Sequence, residues 1–178
     1  MTERVQRIII PARATTTEIG KWLWALEDAR ARTKRMIEGI TQAELDTLPD
    51  GLDNTIGTLL YHIAIIEADY LSIDVMGYDD YLPELKPILP LPVRTEDDRL
   101  SIVMGVSLDE HLRRFDIVRQ RLLELFTEMT PDAMVQPRDL PDWGYEISPE
   151  WTLHHLAQHE SEHRGEIGSL LTLLRGNE

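Results

Sequence analysis

Four long stretches of this 178-residue chain carry apolar side chains at α-helical spacing, and each is flanked by residues that cap helices. Four amphipathic helices of about six turns bury their apolar stripes most readily against one another. The sequence therefore predicts an all-α fold, a four-helix bundle in a single domain spanning residues 1–178. The predicted helices run from Thr16 or Thr17 to about Glu38, from just after Asp53 or Asn54 to about Met76, from Ser107 to about Met129, and from Ser148 to Arg175.

The segments between these helices differ in length. Thr41 and Glu44 match a capping box, which predicts a short helical turn before Pro49. Residues 78–106 hold four prolines and little periodicity, so we expect a long crossover that would let the second and third helices run parallel. A turn or small hairpin is predicted in residues 130–147, and an N-terminal arm in residues 1–14.

Composition argues against several classes of function. A formal net charge of −14 disfavours binding to nucleic acid or to an anionic membrane. The chain has no cysteine, so any thiol chemistry would need a thiol from a cofactor or substrate. We recognise neither a targeting segment nor an apolar stretch of membrane-span length, and therefore expect a cytoplasmic protein without membrane contacts.

Histidines spaced four residues apart in the last helix are the strongest chemical signal. His159 and His163 fall one turn apart within its apolar stripe, His155 falls at the edge of the stripe, and His154 points away. Neutral imidazoles from consecutive turns are suitable ligands for a divalent metal ion. A hydrogen-bonded structural network is the alternative, and it would have to satisfy the polar nitrogens of two buried rings.

A third ligand would have to come from another helix. We interpret His111 as a surface residue, which leaves His62 as the other histidine on or beside a buried stripe. Three histidines that leave coordination positions for water make an open site, which is the catalytic kind. Nitrogen ligands favour zinc or nickel.

Four carboxylates could accept the second ring proton of a ligand or lie near bound water: Glu67, Glu160, Glu162 and Glu166. Glu67 is the best candidate because its helical phase points it inward, although a buried ion pair with an arginine would explain that phase equally well. The arginines of the third helix are interpreted as mostly solvent-exposed: Arg113, Arg114, Arg119 and Arg121.

The string His159-Glu160-x-x-His163 matches the short motif of zinc metalloproteases. Such a helix needs a third ligand further along the chain, but only 15 residues follow His163, with neither histidine nor aspartate among them. We therefore disfavour proteolysis.

Two motifs together resemble those of the DinB superfamily of bacterial four-helix bundles. They are Asn54-x-Ile56-Gly57-x-Leu59-Leu60-Tyr61-His62 with Glu67 five residues later, and His159-x-x-x-His163-Arg164-Gly165-Glu166-Ile167. The resemblance implies His62, His159 and His163 as metal ligands, with His155 as an alternate. It also implies a bundle with a long crossover, a homodimer, and transfer reactions that use a low-molecular-weight thiol such as mycothiol or bacillithiol.

These observations predict a metal-binding bundle that activates a small thiol or water for transfer to a small-molecule substrate, as a thiol S-transferase or a hydrolase. Glu67 and Glu166 are its candidate supporting carboxylates. The alternative is a non-catalytic bundle that holds a metal or small ligand, as a stress-response or interaction module.

Overall fold

The computed structural model describes residues 8–141 and 143–176, and it has the predicted all-α architecture. Its long helices are α1 (Thr17–Met36), α3 (Ile56–Asp69), α4 (Leu108–Thr127) and α6 (Pro149–Gly176). Two short helices, α2 (Gln42–Asp46) and α5 (Pro131–Val135), and an antiparallel hairpin of β1 (Arg138–Leu140) and β2 (Tyr145–Ile147) lie between them. Of the predicted N-terminal arm, residues 1–7 lie outside the described part, and residues 8–10 are exposed and form no strand.

Hydroxyl side chains start each long helix by accepting a backbone N–H three residues further on. Thr16 caps α1, Ser107 caps α4, and Ser148 caps α6 with Pro149 at the first helical position, all as predicted. The second long helix begins later than predicted, because Thr55 is its cap. The capping box of α2 is also confirmed.

Contacts between residue pairs show that α1 and α6 run parallel. Trp22 of α1 donates to Glu150 near the start of α6, and Arg30, two turns later, donates to Glu160. The long helices therefore cannot all alternate in direction, as they would in a simple up-and-down bundle.

The other parallel pair is α3 and α4. Gly57 lies beside His111 near the start of both helices, and Glu67 pairs with Arg119 further along both. A connection between parallel neighbours has to return along the bundle, and the segment after α3 does so. The long crossover predicted for residues 78–106 is thereby confirmed, and part of it is core, since Leu82, Leu85, Leu89 and Val103 are buried.

The helix α3 is buried almost all round and continues as a π-helical segment, Tyr70–Val75. Contrary to expectation, one stretch of the described chain, Ile56–Val75, is long and apolar enough to cross a membrane by length and composition. In the fold, 78% of its most apolar window is buried inside the protein. A helix enclosed by a bundle passes the same test, because it is apolar on more than one face.

Gly57 allows the first turn of α3 to approach two other backbones. A Cβ at this position would lie 3.1 Å from the Val103 carbonyl oxygen and 3.3 Å from that of Leu45. The lack of a side chain at Gly57 thus allows α3 to pack closely against both the crossover and α2. His62 follows on the same helix.

Candidate metal centre

Three imidazoles from two antiparallel helices meet at one point. His62 projects from α3, and His159 and His163 project from consecutive turns of α6. The Nε2 atom of His159 lies 3.3 Å from that of His62 and 3.1 Å from that of His163. One ligand atom from each of the three rings lies within 4.8 Å of the others, so the three rings form a compact group of nitrogen donors.

The two α6 histidines lie at the edge of the buried stripe, next to α3. Glu160 and Leu156 occupy the buried centre, while His159 and His163 are partly exposed. This position differs from the central one that the periodicity predicted. It gives the donor group access from solvent through a cleft of about 420 Å³.

The donor set fits a divalent cation better than it fits a hydrogen-bond network. A neutral imidazole has one N–H and one lone pair, so three Nε2 atoms directed at one another cannot all be satisfied among themselves. The Nδ1 atom of His62 is buried without a hydrogen-bond partner in the described chain, so a hydrogen-bond network does not continue through this ring. A cation among the three Nε2 atoms would use all three lone pairs, and three nitrogen ligands are a common set for zinc.

Burial keeps two of these rings neutral. It lowers the pKa of His62 to about 4, with further lowering from the charges of His163 and Arg94. Burial also lowers the pKa of His159 to about 2, assisted by His163, His62 and His155. Because metal ligation requires the unprotonated ring, protons compete little for these two sites near neutral pH.

Glu166 is the carboxylate that the structure places beside a site histidine. Its Oε2 atom lies 3.2 Å from Nδ1 of His163, although the contact lacks the alignment of a hydrogen bond. A carboxylate there favours a proton on Nδ1 and so leaves the Nε2 lone pair free for the metal. Glu162, another candidate, is exposed and accepts from Gln158.

Glu67 belongs instead to a buried ionic network, which was the alternative left open by the sequence. It accepts from Arg30 at 2.6 Å and from Arg119 at 2.7 Å, and the same two guanidinium groups pair with Glu160 at 2.9 and 3.2 Å. We call these four residues the buried quartet. Burial raises the pKa of Glu67, but the two arginines outweigh it and hold that pKa below its ordinary value.

The position of Glu160 in the buried quartet bears on whether His159-Glu160-x-x-His163 acts as a protease motif. The glutamate of a zincin motif has to reach water on the metal as a general base. Glu160 is 1% exposed, and both of its carboxylate oxygens contact guanidinium groups in the core. This environment argues against a protease role for the motif.

The alternate ligand His155 lies outside the group of three. Its ring stacks on Trp151, with centroids 4.9 Å apart and planes 7° apart, and its centroid lies 4.8 Å from that of Tyr70. Burial lowers its pKa, and it borders the site through His159, with centroids 5.8 Å apart. His154 is exposed, as predicted.

Two interpretations of α4 were wrong. His111 is 1% exposed, and neither ring nitrogen has a hydrogen-bond partner among the described residues. Arg119 is buried in the quartet, and Arg114 is buried with its guanidinium over the ring of Tyr61. The signal was available, because His111 and Arg119 each lie four residues from buried Phe115, and Arg114 lies four residues before buried Val118.

Comparison with known proteins agrees with the fold and the motifs. The sequence profile of the DinB superfamily matches residues 25–167, so the chain belongs to this superfamily. A crystal structure of a conserved protein from Enterococcus faecalis is similar in fold, with a TM-score of 0.68 and 17% sequence identity over 87% of this chain and 95% of that one. A comparison with curated proteins found no match.

Proposed function

We propose that this DinB superfamily protein binds a zinc or nickel ion through His62, His159 and His163. The convergence of their three Nε2 atoms beside an open cleft is the observation that carries the proposal. The depressed pKa values of His62 and His159 support it, because neutral rings are ready to coordinate.

The remaining coordination positions would face the cleft, where a small molecule can enter. A divalent ion held there would lower the pKa of a bound thiol or water. The protein's own contribution is to hold three imidazoles on two rigid helices and to orient His163 through Glu166. We therefore propose a transferase or hydrolase that acts on a small molecule, with an external thiol as the co-substrate of the transferase. We also propose that it works as a cytoplasmic homodimer.

A non-catalytic metal-binding bundle is the second candidate, and one observation favours it. Glu67 and Glu160 are both held by Arg30 and Arg119, so neither is free to serve as a general base at the site. Conjugation assays with the metal-loaded protein and several thiols and electrophiles distinguish the candidates, because a binding module would leave every pair unreacted.

Metal content of the purified protein tests the proposal directly. We expect near-stoichiometric zinc or nickel in the unaltered protein and a large loss in His62→Ala, His159→Ala and His163→Ala. His154→Ala is the matched control, because this exposed histidine lies on the same helix but outside the group of three. Equal metal content in the control and the three ligand variants would refute the assignment.

A further inference from the structure

A second cavity of about 430 Å³ adjoins the metal cleft, between the loop before α3 and the last turns of α6. Four leucines line it: Leu52, Leu59, Leu170 and Leu173. Leu59 and Leu170 are buried, whereas Leu52 and Leu173 remain 45% and 42% exposed at its rim. We call this cavity the leucine groove.

The leucine groove and the metal cleft share a wall. Asp53, Asn54 and Glu166 line both cavities, so the two cavities are adjacent. Each cavity alone is within the size range of small-molecule sites. Together they offer a polar end at the three histidines and an apolar end at the leucines.

Arg94, on the crossover, supplies a cationic group to the cleft. Its Nη1 atom donates to the Asp98 carbonyl oxygen at 2.7 Å and also forms an ion pair with the Asp98 carboxylate at 3.6 Å. The Nε and Nη2 atoms have no hydrogen-bond acceptor within residues 8–141 and 143–176. The other arginine of the cleft, Arg99, likewise uses its Nη1 atom in an ion pair, with Asp53 at 3.2 Å. Arg94 therefore has donors to spare for an anionic ligand.

We propose that the cleft and the leucine groove form one binding site for a small amphipathic anion. Its carboxylate lies at Arg94 and the three histidines, and its unbranched apolar body lies along the leucines. This inference deepens the proposed function, on which it rests for the role of the ion. Arg94 and the leucines, however, recognise the same molecule in metal-free protein.

Calorimetric titration with butyrate, hexanoate and octanoate tests the groove. Burying a methylene in an apolar site strengthens binding about fourfold, so affinity should rise steeply with chain length. The double variant Leu52→Gln/Leu173→Gln should flatten this dependence while the fold, checked by circular dichroism, is retained. Leu48→Gln is the matched control, since Leu48 is 40% exposed and lines neither cavity.

Comparison of octanoate with octan-1-ol tests the charged end. Arg94→Gln should weaken octanoate binding about threefold or more and leave octan-1-ol binding unchanged, because only the carboxylate pairs with the guanidinium. Arg32→Gln, on the exposed side of α1, should change neither.

The proposal would be overturned if the affinity did not depend on chain length. It would also be overturned if Leu48→Gln reduced the affinity as much as Leu52→Gln/Leu173→Gln does. Metal content is measured on the same preparations, and every titration is run on metal-free and zinc-loaded protein. Failure of metal binding would then refute the proposed function, while the chain-length series on metal-free protein still decides the inference.

Discussion

Glu166 stands at the rim of the cleft, where one carboxylate oxygen contacts His163 and solvent reaches the rest of the group. Its exposure would leave it free to adjust to the metal coordination that we propose for His163. A carboxylate against the second nitrogen of a ligand raises the basicity of the ring and fixes its tautomer. The role assigned to Glu67 from its inward phase therefore belongs, in our proposal, to a residue on the ligands' own helix.

Replacing Glu166 by glutamine should weaken zinc binding about 10- to 100-fold, because the amide no longer attracts the Nδ1 proton of His163. Competition with a chromogenic chelator measures the change. Glu162→Gln is the control, since Glu162 is exposed on the same helix and bonds to Gln158. If both variants bind zinc equally, Glu166 has no part in holding the ligand.

Burial of His111 makes the stability of the protein depend on pH. Burial lowers its folded pKa to about 4, assisted by the charge of Arg114, and the ordinary value of 6.5 applies to the unfolded chain. Between these two values the unfolded state binds more protons, so acidification destabilises the fold. The contribution is fully present above the unfolded pKa and is lost progressively as pH falls towards the folded pKa.

Urea unfolding of metal-free protein at about pH 7 and about pH 5 should therefore show lower stability at the acidic pH. His111→Leu removes the titrating ring and should reduce that difference, whereas the exposed His154→Ala should keep it. Because burial also lowers the pKa of His62, some pH dependence should survive in His111→Leu. An unchanged difference in His111→Leu would contradict the assignment.

At the scale of elements, each long helix contributes one member to the buried quartet: Arg30, Glu67, Arg119 and Glu160. The quartet has no net charge, because it contains two positive and two negative groups. Its ion pairs fix the position of each helix along the bundle axis relative to the other three. Since His62 and His159 lie on helices that the quartet joins, its geometry sets the register in which the site histidines meet.

Replacing Glu67 by glutamine should cost about 3–5 kcal/mol of stability, because it leaves a buried cation without its partner charge. Chemical denaturation measures the loss. The matched control is Glu124→Gln, which removes an exposed partner of Arg121 and should change the stability little. A loss of stability no larger than that of the control would mean that water or other groups compensate the buried charge of the two arginines.

The sequence predicted the long helices because periodicity and capping residues are local signals. Two other elements were missed. The helix α5 follows Thr130-Pro131, a cap followed by proline that could have been recognised. The π-helical segment after α3 has no such signal, since its apolar pattern also suits an α-helix. Pairing partners across the bundle, such as Arg119 for Glu67, depend on tertiary contacts that periodicity alone does not specify.

For the molecule as a whole, the site links α3 and α6, two helices that are far apart in the chain. A metal that binds only the folded state stabilises it in proportion to the logarithm of its free concentration, by about 4 kcal/mol at a thousandfold excess over Kd. Added zinc should therefore raise the melting temperature of metal-free protein but not that of His163→Ala. Equal shifts in both would show that zinc binds elsewhere.

The crossover has a consequence for how such a bundle can diversify. The three histidines and the quartet lie on helices, whereas Arg94, Asp98 and Arg99 lie on the crossover. The chain needs this long connection because α3 and α4 are parallel. In the function that we propose, mutations in that connection would change which molecules enter the cleft and would leave the three histidines in place. A library randomised over residues 94–99 should accordingly yield variants with altered ligand preference and unaltered metal content.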